Sequence, residues 1–176
     1  LDQAKIFIKA GCGGSGSANG IRALFSGGGA YAGMVNTVDY VAIDTLANTM
    51  EFGAMRSGGL KGEGMAANSN GSRSIWSGGY DGGNPVYVDY LTWSTAANAL
   101  QLGALRINIY GGAGCEDGSR ALHGGGDGFG SGTNNAELEY FSMDVTPSTA
   151  VISASFGTLA GDSNGRRQRV AAYAGD

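Results

Sequence analysis

Three tyrosines, Tyr40, Tyr90 and Tyr140, stand 50 residues apart, each inside one short pattern: Val38-Asp39-Tyr40-Val41, Val88-Asp89-Tyr90-Leu91 and Leu138-Glu139-Tyr140-Phe141. A chain with such a period solves one local packing problem again and again, which confines it to stacked or radial architectures. Two further anchors keep the phase. Arg22-Ala-Leu-Phe25, Arg73-Ser-Ile-Trp76 and Arg120-Ala-Leu-His123 each lead into a cluster of glycines. Phe52-Gly53-Ala54-Met55, Leu102-Gly103-Ala104-Leu105 and Phe156-Gly157-Thr158-Leu159 close the unit at spacings of 50 and 54, so an insertion is expected between Tyr140 and Phe156.

Within a unit the apolar positions alternate. Val38, Tyr40 and Ala42 fall on one face and Asp39, Val41 and Ile43 on the other, the period of a strand and not of a helix. The run from Val86 to Trp93 is rich in β-branched and aromatic residues, which suit a pleated, buried surface. Clusters of Gly, Ser, Asn and Asp, such as 124–132 and 69–72, supply the tight turns between strands. The expected class is all-β, with about four strands per unit. The chain divides into 1–21, the end of a preceding repeat and the entry to the first; three repeats at 22–71, 72–118 and 119–165; and 166–176, the start of a fourth. Lys5-Ile6-Phe7-Ile8 before Gly11-Cys12 is similar to Arg106-Ile107-Asn108-Ile109 before Gly114-Cys115, and Arg169 to Gly175 repeats the first anchor with one extra residue. A chain that enters and leaves inside its own period is expected to be part of a longer chain or of an oligomer.

Composition removes several function classes. Glycine supplies 34 of the 176 residues, yet two prolines and a charged fraction of 15% fit neither collagen nor a disordered segment. The net charge is −4 and the 11 basic residues are scattered, which argues against a nucleic-acid partner. No apolar run is long enough for a membrane-spanning helix, so membrane insertion is not expected.

The chemistry-bearing residues are few. Cys12 and Cys115 lie 103 positions apart and His123 is the single histidine, too small a set for a zinc site; neither a metal nor a cofactor is expected. Gly11-Cys12-Gly13-Gly14-Ser15-Gly16 has the glycine spacing of a dinucleotide loop, but Ser-Ala-Asn-Gly follows it in place of a helix, so it is expected to join strands. Gly124 to Phe129 resembles a calcium turn that occurs only once; Asp127 with Asn134 or Asn135 would be its weak oxygen ligands, and a plain loop is preferred. His123 occupies the place of Phe25 and Trp76, which makes it a strand filler and not a general base. No catalytic residue is expected. The segment after each glycine pair differs between units, and Tyr31, Tyr80, Asp81, Asn84, Asp127 and Phe129 within these segments are the candidate ligand- or partner-binding residues. Rings that stack and side chains that hydrogen-bond are the groups a sugar or protein contact needs.

An apolar strand ending in Gly-Gly, a tyrosine strand about a dozen residues later and a closing apolar strand together resemble the kelch motif, most closely at Gly78-Gly79-Tyr80-Asp81-Gly82 followed by Tyr90. The repeat is also similar to the kelch-like repeats of virion and tail-fibre proteins of tailed bacteriophages. The resemblance implies a kelch-like β-propeller segment built from four-stranded antiparallel blades. It further implies a non-enzymatic structural or adhesive role in a virion appendage, with other virion proteins or a host-surface glycan or protein as partners. A protein-binding scaffold, secreted or cytoplasmic, and a carbohydrate-active enzyme on a propeller are the alternatives. In such a blade the tyrosine would fill the gap between neighbours, and Arg22, Arg73 and Arg120 would each pair with the acid before the tyrosine, Asp39, Asp89 or Glu139.

Overall fold

The computed structural model describes residues 14–18, 22–30, 33–45, 47–56, 63–80, 86–109, 111–128, 133–134 and 136–160. The described residues are strands, turns and coil, as the alternation requires. Strand β1 (Gly14–Ala18) precedes the first repeat, and β2 (Arg22–Gly27), β3 (Gly29–Ala30), β4 (Gly33–Met34), β5 (Thr37–Ala42), β6 (Met50–Ala54) and β7 (Glu63–Ser69) lie within it. Strands β8 (Arg73–Tyr80), β9 (Tyr87–Thr92), β10 (Leu100–Ala104) and β11 (Ala113–Glu116) lie in the second. The third holds β12 (Arg120–Gly124), β13 (Asp127–Gly128), β14 (Thr133–Asn134), β15 (Glu137–Ser142) and β16 (Ala154–Thr158).

These strands form three four-stranded antiparallel sheets, each in simple up-and-down order: β1-β2-β5-β6 (sheet I), β7-β8-β9-β10 (sheet II) and β11-β12-β15-β16 (sheet III). The small ladders β3-β4 and β13-β14 extend the β2-to-β5 and β12-to-β15 hairpins. Each sheet begins one strand ahead of the sequence unit that starts at its arginine. That first strand is made of small residues (GSGSA in β1, AGCE in β11) because β1 and β11 both lie against β7. A Cβ on Gly114 of β11 would come within 2.8 Å of the Asn68 side chain of β7, so close approach replaces apolar alternation there.

Turn chemistry is equally repetitive. Asn70-Gly71-Ser72-Arg73 and Asp117-Gly118-Ser119-Arg120 close the first hairpins of sheets II and III, with φ of +78° at Gly71 and +86° at Gly118. In each, the side-chain oxygen of the first residue accepts from the backbone N–H groups two and three places on, which holds the tight turn that positive φ opens.

Two apolar cores lie between the sheets. Leu24, Val38, Phe52 and Met55 of sheet I meet Trp76, Leu91, Trp93 and Ala99 of sheet II. Ile75, Val88, Leu102 and Leu105 of sheet II meet Ala121, Phe141 and Met143 of sheet III. Alternate residues of β8 and β9 thus serve two different interfaces, Trp76 and Leu91 that with sheet I and Ile75 and Val88 that with sheet III.

The third anchor is a β-bulge in all three sheets. Pairing jumps across Phe52, Leu102 and Phe156, so that the aromatic or leucine is the extra residue and the glycine after it returns to register opposite Val38, Val88 or Leu138. A bulge turns two successive residues toward the same side, and here that side faces the next sheet.

Candidate functional site

The recurrent polar residues meet where one sheet faces the next. Arg22 lies over the ring of Tyr40 at 5.4 Å and donates from Nη1 to the carbonyl of Trp93 in sheet II (3.3 Å). Arg73 repeats this one sheet on, 4.8 Å from the Tyr90 ring, with Nη1 donating to the carbonyls of Met143 (2.8 Å) and Val145 (3.1 Å). The first-anchor arginine therefore clamps the main chain of the following sheet.

The acid before the tyrosine takes its arginine from elsewhere, a departure from the pairing expected of Arg73 and Arg120. Arg56 Nε donates to Asp89 Oδ1 at 3.3 Å, and its guanidinium lies 4.7 Å from the Tyr87 ring. Arg106 Nε is 3.4 Å from Glu139 Oε1, and its guanidinium also donates to Glu137. Both acids are fully buried, and both arginines come from just after the bulge of the preceding sheet. Each arginine precedes its acid by 33 residues, a constant separation that is the sequence signal for the pairing. Burial pushes the Glu139 carboxyl up, while Ser153 Oγ, donating at 2.8 Å, and the Arg106 backbone N–H and charge pull it back. Enclosed acids with these partners cross-brace the sheets.

Backbone approach completes the interface. Ala99 N–H donates to the carbonyl of Ala54, and Ile152 N–H to that of Ala104. A Cβ on Gly53 would fall 2.1 Å from the Ala97 carbonyl oxygen, and one on Gly103 would fall 2.6 Å from Ile152. Glycine stands in the bulge because the next sheet's connection crosses it.

His123 is sealed inside the second interface, hydrogen-bonded through Nδ1 to Ser77 Oγ at 2.8 Å and crowded by Gly78 and Gly112. Burial holds its pKa down to about 4, so the ring is neutral. It fills the strand position held by Trp76 in sheet II, as the repeat alignment implies.

Sheet III presents the same outgoing side chains with no described sheet over them. Tyr140 and Phe156 keep the edge-to-face contact of Tyr40 and Phe52, with centroids 5.8 Å apart in both pairs. Phe156 is 50% exposed, whereas Phe52 is 4% and Leu102 0%. Arg120 turns back to Asp117 (2.8 Å), whose carboxyl is lowered to about 2 chiefly by the backbone N–H groups of Arg120 and Ser119.

Of the loop residues singled out for ligand contact, Tyr31, Asp81, Asn84 and Phe129 lie outside the described residues. Tyr80 ends β8 and Asp127 begins β13. Asn134, opposite Asp127 in the β13-β14 ladder, is described, and Asn135 is not. Among the described residues no group of three His, Cys, Asp or Glu is placed to hold a metal ion, and Cys115 is a free thiol in β11.

No family model and no curated protein sequence matches the chain. Among solved structures it is similar to YjhT, at 10% identity and a TM-score of 0.66 over 84% of this chain and 52% of that one. The likeness is one of fold, and the chain spans about half the length of that structure.

Proposed function

We propose that this chain is a non-enzymatic structural module, a segment of a β-propeller in which sheets I to III act as blades and the segments after the glycine pairs make the outward contacts. The observation that carries this reading is the double construction of one interface. Arginine over tyrosine, arginine on a buried acid, and a bulge glycine under the next connection occur between sheets I and II and again between II and III, the last two contacts at matching positions in both. The residues that recur are thus engaged in holding sheets together. Meander order, first strands side by side, and a fold similar to a longer solved structure, 52% of which the match covers, support the propeller part.

The adhesive part rests on the composition around Tyr31, Tyr80, Asp81, Asn84, Asp127 and Phe129, where rings and hydrogen-bonding side chains suit a glycan or protein surface. A place in a bacteriophage virion appendage follows from the resemblance of the repeat. The test is to present the protein with bacterial surface polysaccharide and to follow both retention and sugar release. Retention without release is expected, reduced by Tyr31→Ala or Asn84→Ala with the circular dichroism spectrum unchanged. Release that vanishes in Asp81→Asn or Asp127→Asn would make the protein a hydrolase, and absence of retention would remove the adhesive role.

A further inference from the structure

Among the described residues, two halves of the internal interface are left unfilled, at opposite ends of the sheet array. The outgoing half is on sheet III. Gly157 follows the bulge residue as Gly53 and Gly103 do, yet a Cβ there would meet nothing within 4 Å. Around it Leu122, Leu138 and Leu159 are half-buried, whereas Leu24, Val38 and Met55 of sheet I are closed off. The sequence thus keeps, for the third time, the glycine and apolar set that the other two sheets need beneath a neighbour.

The incoming half is on sheet I. Asp39 is half-buried where Asp89 and Glu139 are fully enclosed, Ile43 is half-buried where Trp93 and Met143 are enclosed, and Thr49 is exposed where Ala99 is covered. Ala47-Asn48-Thr49 matches Ala97-Asn98-Ala99, the connection that crosses Gly53 and whose Asn98 Oδ1 accepts from the Ala54 N–H at 3.1 Å.

We infer that the outgoing face of sheet III is a docking surface for the incoming face of sheet I in a second copy of this chain. Two copies related by a two-fold axis satisfy both halves at once, because each gives one outgoing and one incoming face and the contact closes on itself. The half-length match to the larger solved structure is the proportion that two copies would make whole. Ala47 to Thr49 of the second copy crosses Gly157, and Arg120 leaves Asp117 for the Ile43 carbonyl of that copy. The inference rests on the blade-array part of the proposed function and is independent of any ligand.

One difference predicts how this junction behaves. Ala160 stands four residues after Phe156, where Arg56 follows Phe52 and Arg106 follows Leu102. The intermolecular junction therefore lacks an arginine for Asp39 at that position and is weaker than the internal two.

Sedimentation velocity against concentration tests the proposal, with circular dichroism reporting the sheets. The wild-type chain is expected to associate reversibly to twice its mass. Gly157→Trp and Thr49→Trp, both at open positions, should each give monomer with an unchanged spectrum. Their equimolar mixture should recover some dimer, because one intact junction remains. Ala160→Arg should tighten association about tenfold by reaching Asp39 of the second copy, and Asp39→Asn in the same chain should cancel the gain. A wild-type monomer with an intact β spectrum overturns the docking and leaves the sheet array standing. If Gly157→Trp instead lowers the melting temperature of a monomer, residues of the same chain fill the face and the proposal falls. Dimer that persists in each single variant would mean that each face pairs with its own kind, and failure of the mixture to recover dimer would mean that the two faces do not meet each other. Either result would equally overturn it. Loss of the β spectrum in the wild-type chain overturns the array and, with it, the docking.

Discussion

Sheets I and III hold nearly the same outward side chains in different surroundings. Phe52 and Phe156 both meet the neighbouring tyrosine edge-on at 5.8 Å, and both are the extra residue of a bulge followed by glycine. Phe52 is enclosed by Trp93 and Ala99 of sheet II, while the described residues set nothing comparable over Phe156. The comparison separates what a repeat encodes locally from what its neighbour confers. Strand, bulge and ring pair belong to the unit; burial, and the stabilisation that burial brings, belong to the junction.

Truncation of the two rings is expected to have the largest effect. In dilute, monomeric protein Phe52→Ala is expected to cost about 3 to 5 kcal/mol, the usual loss for an enclosed phenylalanine. Phe156→Ala should cost about 0.5 kcal/mol, the scale of surface changes. Urea denaturation measures both, and equal losses would mean that Phe156 is already covered in solution.

Acid distinguishes the II–III junction from the open face by a different route. His123 has a folded-state pKa of about 4 against an ordinary 6.5. The unfolded chain therefore takes up the proton first, and the stability tied to neutral His123 is whole above 6.5 and lost as the pH falls toward 4. The gap corresponds to about 3 kcal/mol. Glu139 and Glu116, both raised by burial, act in the opposite sense: what they contribute is present below the ordinary carboxylate range and lost as the pH rises through their folded values. Comparison of unfolding free energies of wild type and His123→Gln across this window isolates the histidine. The wild-type slope should flatten in the variant, and identical slopes would show that the ring is not sealed.

A third contrast concerns the bulge glycines. Gly53→Ala drives a methyl into the Ala97 carbonyl and is expected to cost about 2 kcal/mol. Gly157→Ala meets open space and should gain about 0.5 kcal/mol from a stiffer unfolded chain. Thermal melts of the two variants decide it. A comparable loss at both would place backbone over Gly157 even in the monomer.

Much of this architecture is legible in the sequence, for reasons tied to particular residues. Alternation through Val38 to Ile43 gives strands, and the 50-residue tyrosine spacing gives sheets of one kind. The register of the first strands is hidden because β1 and β11 are crowded against β7 and must be small, which erases the apolar alternation that marks the others. The ion pairs are hidden for another reason. Arg73 is the repeated arginine and Asp89 lies on the neighbouring strand β9 of its own sheet, so a pairing inside the unit looks natural. The acid, however, faces the sheet before and the arginine faces the sheet after. Alternate faces of one strand belong to different junctions, and a unit read alone does not display that division. The loop residues proposed for contact, Tyr31, Asp81, Asn84 and Phe129, follow from variation between units and lie outside the described residues.

The smallest expected difference is also the one most sensitive to docking. Arg73 loses two carbonyl acceptors and a ring contact when truncated, so Arg73→Ala should cost about 1 to 2 kcal/mol. Arg120 is 61% exposed and holds only Asp117 in its own turn, and exposed pairs of this kind contribute little; Arg120→Ala should lie within about 0.5 kcal/mol of wild type. That gap holds only while sheet III is uncovered. At concentrations where a second copy seats on it, the Arg120 guanidinium gains a main-chain acceptor and a desolvated ring, the surroundings Arg73 has permanently. The two variants should then converge, with Arg120→Ala becoming costly as protein concentration rises while the cost of Arg73→Ala stays constant. Chemical denaturation repeated across a concentration series reads both curves, and a gap that never narrows would mean that the third face stays open.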